Sequence, residues 1–296
     1  MFEASYTLSV LLMIFLPAVF PLLLRRKIAV PWLLFSVGAL TFFVSQVVHL
    51  PLNAWLGDIG LISGEAAPDH PLWRSAIVLG LSAGLCEELA RALGYAVLQK
   101  LRPGWMRLQD ALMLGLGHGG FEAMIFGGVL VASSVSMLLP LVGKDLSLLN
   151  LTPAQLAAVK LQVDAFTRSP LDAVWPLLER LLAIGIHVTL SILVWKAFAR
   201  RQFRRDGYYL LLAILYHAAI DFAAVLLRQE LSGNTPLTLA LLALVVVPGW
   251  AWALWVIRKT GFSAAQNPAP TRWSAEWEVF WVATRKEIIQ AWRTKR

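Results

Sequence analysis

Four short patterns in this chain combine residue types that move protons or bind metals. The first is Glu87-Glu88-Leu89-Ala90-Arg91, two carboxylates and a guanidinium. The second is Gly117-His118-Gly119-Gly120-Phe121-Glu122, the third Glu179-Arg180 with His187 further on, and the fourth His217-Ala218-Ala219-Ile220-Asp221. A carboxylate can take a proton from water and an imidazole can stabilise a developing oxyanion. Imidazoles with carboxylates are also the ligand set of many zinc sites. On a helix, residues three or four apart share a face, which couples Glu87 and Glu88 to Arg91, His118 to Glu122 and His217 to Asp221. Arg91 can neutralise one glutamate. Adjacent Glu87 and Glu88 point about 100° apart, so the other is free to act as general base, and spacing alone leaves open which one that is. The candidate catalytic residues are therefore Glu87, Glu88, Arg91, His118, Glu122, His217 and Asp221. The candidate metal ligands are His118, Glu122, His187 and His217, with zinc as the candidate ion. Glu179 and Arg180 read equally as an ion pair on the outer side, and His49 as an interfacial histidine.

The elements that carry these residues are apolar. Of 296 residues, 58% are hydrophobic, and the mean hydropathy is +0.66; a soluble domain is about 45–50% apolar. The expected class is all-α: a polytopic membrane bundle of about seven helices, over residues 5–24, 28–50, 72–98, 108–139, 171–198, 208–227 and 236–257. The second span is expected to stop at Pro51 and the fourth to bend at its glycines. Thr152-Pro153 reads as an N-cap and first helical residue of a short external helix. The net charge of +8 does not point to nucleic acid, because the basic residues collect at alternate span ends, as in Arg25-Arg26-Lys27 and Arg200-Arg201. That placement puts the N-terminus outside and the C-terminus in the cytoplasm, in a multi-pass protein of the cell membrane whose partners are lipid and a membrane-borne substrate. The single cysteine, Cys86, excludes an intramolecular disulfide and a zinc–thiolate pattern. Residues 1–262 form the membrane unit. Residues 263–296 read as a small-residue linker and an amphipathic helix, with Trp273, Trp277, Trp281 and Trp292 on one face.

Counting from the basic end of each span at about 1.5 Å per residue places Glu87 about 20 Å deep, His118 about 16 Å, His187 about 14 Å, and His217 and Asp221 about 15 and 21 Å. Four helices thus offer ionisable groups at one level. Groups buried so deep are expensive and mark a site by default.

The ordered set Glu87-Glu88-x-x-Arg91, Gly117-His118-Gly-Gly-x-Glu122, Glu179-Arg180 with His187, and His217-x-x-x-Asp221 resembles the YhfC family of predicted intramembrane proteases. That family is related to the CAAX-processing and bacteriocin-processing proteases and to the PrsW-type proteases. The resemblance covers roughly residues 46–221. It implies a membrane-embedded peptidase in which Glu87 or Glu88 activates water, Arg91 is its electrostatic partner, and the later histidines help to bind the oxyanion. Relatives of both metallopeptidase and metal-free glutamic type leave both mechanisms open. The arginine spacing differs from the CAAX type by one residue, and Leu114 stands where that type has an aromatic, which places the chain with the YhfC branch. Intramembrane acids and histidines also serve proton-coupled transporters, or a scaffold that binds without turnover, and these are the alternatives to an enzyme.

Overall fold

A computed structural model describes residues 2–63, 71–231 and 234–262 of the chain. The tail after residue 262, with its expected amphipathic helix, lies outside the described residues. The described residues form α-helices without strands: α1 (Phe2–Lys27), α2 (Trp32–Asp58), α3 (Leu72–Leu101), α4 (Leu108–Glu122), α5 (Leu130–Leu138), α6 (Pro153–Thr167), α7 (Val174–Ala199), α8 (Phe203–Asp206), α9 (Tyr208–Glu230) and α10 (Thr235–Thr260). Six helical stretches are long and apolar enough to cross a membrane. Helix α3 is as long as these but carries the charges of the first motif. Its opposite face exposes Ile77, Leu81, Leu85, Leu89, Leu93 and Val97 at one residue in four, a stripe suited to lipid.

Two boundaries differ from expectation. Helix α2 runs through Pro51 to Asp58. Past the proline, Asn53 reaches back to His49 and accepts from Ser82, contacts that hold the last turns in place despite the missing backbone donor. The fourth span is interrupted later than its glycines at 115–120 suggest. A π-helical turn, Ala123–Val129, joins α4 to α5, a feature frequent at functional sites. The expected short helix after Thr152 is α6, with Pro153 at its start and Thr152 and Gln155 forming a capping box.

The motif glycines serve close packing instead. A Cβ on Gly84 would lie 2.6 Å from the Ile214 carbonyl oxygen on α9, and one on Gly119 would lie 2.8 Å from the Cβ of His187 on α7. Small residues let α3 approach α9, and α4 approach α7, at backbone distance. Helices α2, α3, α4, α7 and α9 therefore surround one interior. Toward the basic ends that interior is filled by Leu34, Tyr95, Leu114, Leu190 and Val194. There Tyr95 Oη donates to Ser191, whose hydroxyl donates to the Ala111 carbonyl at 3.0 Å, pinning α3, α7 and α4 together. Above this plug lies the polar cluster.

Candidate functional site

The structure brings all the motif residues into one buried cluster. Glu88, Arg91 and His118 are 0% exposed, so each polar atom needs a partner within the protein. Glu88 Oε2 pairs with Arg91 at 3.5 Å on the same helix, and Glu88 Oε1 lies 2.8 Å from His217 Nδ1. Glu87 points elsewhere: its Oε2 is 3.0 Å from His118 Nε2 and 4.0 Å from His217 Nε2. The two adjacent carboxylates thus point in different directions. Glu87 faces the centre of the cluster, and Glu88 sits behind the His217 ring with Arg91.

The proton on each imidazole follows from what its Nδ1 meets. Thr41 Oγ1 donates to the Gly38 carbonyl at 2.7 Å, so toward His118 Nδ1, 2.9 Å away, it acts as acceptor. With the Thr41 hydrogen on Gly38, His118 carries its proton on Nδ1. Glu88 as a carboxylate only accepts, which gives His217 the same tautomer. Both rings then turn an Nε2 lone pair inward. His187 is the opposite case. Arg91 donates to its carbonyl at 3.1 Å and to its Nδ1 at 3.0 Å, and since a guanidinium can only donate, His187 carries its proton on Nε2. That nitrogen lies against Glu122 Oε2.

Glu122 is therefore not the partner of His118, as the i,i+4 spacing suggests, but of His187 and of Arg180, which holds its Oε1 at 2.8 Å. Arg180 also grips Glu179 at 2.9 Å. The expected ion pair exists, yet through Arg180 it is part of the cluster. Asp221 stands 3.6 Å from His217 Nε2, and at 36% its side chain is the exposed edge of the site. The three rings are close: centroids are 4.8 Å apart for His118 and His187 and 5.4 Å for His187 and His217. Phe42 packs edge-on against His118.

Sequence reasoning missed Thr41 and Gln46, both on α2. Gln46 Nε2 donates to Glu87 Oε1 at 3.1 Å. The depth count would have found Thr41, about 15 Å from Pro31 by the same rise per residue, but a lone hydroxyl in an apolar run carries no charge signal. His49 is bound to Ser82 at 3.2 Å and to Asn53 at 2.9 Å, a polar contact between α2 and α3.

The ligand atoms of Glu87, His187 and His217 lie within 4.8 Å of one another, a group able to hold a metal ion. His118 adds a further inward nitrogen. Nitrogen and oxygen donors of this kind fit a divalent ion such as zinc. The fit is also electrostatic: the lone pair of His118 Nε2 faces a carboxylate oxygen at 3.0 Å, which is favourable only with a proton or a cation between them. On the side away from the basic helix ends, a cavity of about 1280 Å³ opens between α5, α6, α7, α9 and α10, and Glu179 lines it.

A protein of Bacillus subtilis (strain 168) described as "Uncharacterized membrane protein YhfC" is 29% identical over 233 residues, covering 77% of this chain and 86% of the relative. No solved structure matches. The family model described as YhfC intramembrane metalloprotease matches residues 12–245, a stretch that contains every residue of the cluster. Together with the six apolar helices this makes the chain a multi-pass membrane protein, and it belongs to the YhfC intramembrane metalloprotease family.

Proposed function

We propose that the chain hydrolyses a peptide bond of a membrane-anchored protein or peptide, using a zinc ion held by His118 and His217 with Asp221 beside them. What supports this reading above all is the pair of imidazoles whose Nδ1 atoms are occupied by Thr41 and Glu88, so that both Nε2 lone pairs face Glu87. Histidine ligands of metals are oriented in this way by a partner on the other nitrogen. When bound, the ion supplies Lewis-acid polarisation and a more acidic water.

The remaining roles belong to the side chains. Glu87, steadied by Gln46, accepts the proton of the attacking water. His187, whose Nδ1 is blocked by Arg91, spends its Nε2–H on Glu122 and so braces the cluster between α7 and α4. Arg180 holds Glu122 in place and so steadies that contact. The substrate segment enters by the cavity next to Glu179, whose volume of about 1280 Å³ exceeds that of ordinary small-molecule pockets. In this reading α3 is a seventh span and the N-terminus lies outside, so the cavity opens toward the outer leaflet.

The test uses purified protein, a membrane-anchored reporter peptide and metal analysis of the same sample. Glu87→Gln should lower cleavage by about 10²–10⁴-fold, the usual share of a general base, while zinc content stays at the wild-type level. His217→Ala should lose both. Unchanged cleavage by Glu87→Gln would overturn the proposal, and loss of zinc from that variant would make Glu87 a ligand instead of the base.

A further inference from the structure

A second polar feature lies at the opposite, basic end of the bundle and takes no part in the site. There α3, α4, α7, α9 and α10 meet: Gln99 donates to the Phe198 carbonyl at 2.5 Å, and Trp195 Nε1 to the Met106 carbonyl at 3.0 Å. A cavity of about 430 Å³ opens between α7, α8, α9 and α10, lined by Lys196, Arg200, Arg205, Asp206, Trp195 and Tyr209. Its opposite charges lie near one another without pairing at contact distance. Asp206 is only 5% exposed, yet its Oδ2 is buried without a hydrogen-bond partner. Among the described residues none of the three cations forms an ion pair with it. Lys196 Nζ instead rests over the rings of Tyr209, at 5.2 Å, and Trp252, at 5.9 Å.

A buried carboxylate without a partner is costly, and it becomes favourable once a donor is supplied. The same cavity offers Lys196, Arg200 and Arg205 to an anion. A single ligand meets both demands if it carries a phosphate and, one short link away, a positively charged donor. The location agrees: Phe203 and Tyr208 beside it are about half exposed, an apolar approach of the kind acyl chains use at the ends of spans. We propose that this cavity binds the phosphoethanolamine headgroup of a membrane phospholipid, with the phosphate on the lysine and arginines and the ammonium on Asp206. Charge-assisted bonds at both ends distinguish this headgroup from phosphatidylcholine, whose quaternary ammonium has no N–H.

The full-length protein would be reconstituted in vesicles of phosphatidylcholine alone, with phosphatidylethanolamine, or with phosphatidylglycerol at equal fraction, then re-extracted and weighed with its retained lipid by native mass spectrometry. Phosphatidylethanolamine should be retained in preference to both others. Asp206→Asn and Lys196→Gln should each lower that retention by about tenfold or more, the loss expected of one charge-assisted hydrogen bond. A melting curve in detergent checks that each variant is folded, and either folded variant suffices. Equal retention of phosphatidylcholine, preference for phosphatidylglycerol alone, or unchanged retention by the folded variants would overturn the proposal. Soluble O-phosphoethanolamine forms a further arm: displacement of the lipid at equal concentration would assign the cavity to a free phosphomonoester and refute the lipid assignment.

Discussion

Replacing Thr41 by valine keeps the shape of the side chain and removes one hydroxyl. That hydroxyl accepts from His118 Nδ1 at 2.9 Å while it donates to Gly38 at 2.7 Å. His118 is fully buried, so no water replaces the lost partner. Leaving a buried N–H unpaired costs about 1–3 kcal/mol. The ring also loses its reason to keep the proton on Nδ1, and the other tautomer places it on Nε2, against Glu87 and in the way of a metal. An energy of about 1–3 kcal/mol is a factor of about 5–150 in an equilibrium constant, which spans the roughly 10–100-fold loss usual for a removed outer partner of a metal ligand. Zinc affinity should fall by that amount, read by competition with a fluorescent chelator on detergent-solubilised wild type, Thr41→Val and Thr41→Ser. The serine variant keeps the hydroxyl and should bind like wild type. Wild-type affinity in the valine variant, or equal weakness in both, would refute the tautomer argument.

Three further outcomes follow from the same geometry. Glu88→Gln leaves one acceptor oxygen for two donors, His217 Nδ1 and Arg91, so zinc affinity should drop by about 10–100-fold in the same titration. Arg180→Met strips Glu122 and Glu179 of their cation; breaking this partly buried pair should destabilise by about 1–3 kcal/mol, and combining it with Glu122→Gln should recover much of that loss in denaturant melts, a coupling that independent sites would not show. Gly84→Ala places a methyl group 2.6 Å from the Ile214 carbonyl oxygen, so α3 and α9 must separate, with a loss of about 1–3 kcal/mol in the same melts. A variant as stable as wild type would show that this contact yields without strain.

The depth argument worked because charge in an apolar run is conspicuous. Glu87, Glu88, Arg91, His118, His187, His217 and Asp221 all announce themselves, and equal depth is a condition any shared cavity imposes. Pairing was harder to read. Spacing couples Glu122 to His118, but α4 packs against α7 through Gly115 and Gly119, and that interface hands Glu122 to His187 and Arg180. The contribution of α2 was invisible for a different reason: threonine and glutamine in an apolar helix usually bond their own backbone, and only tertiary structure shows that Thr41 and Gln46 reach His118 and Glu87. The long α2 was misjudged at Pro51 because local propensity yields to contacts such as Asn53 with Ser82. In the same way, the basic residues at helix ends were legible in the sequence, whereas Asp206 among them, with its Oδ2 unpaired, was not.

The π-helical turn Ala123–Val129 follows directly on Glu122. A π turn is a place where a helix holds a residue more than regular winding needs, so it acts as a buffer of chain length. Deleting one residue inside this turn can be absorbed by rewinding toward α geometry, which leaves the phase of α4 untouched. The same deletion among Gly115–Glu122 has no such reserve and turns everything beyond it by about 100° relative to α7, which parts Glu122 from both His187 and Arg180. Deletion of one residue should therefore be tolerated in the first segment and break the Glu122 contacts in the second, a boundary a few residues wide within a single continuous helix.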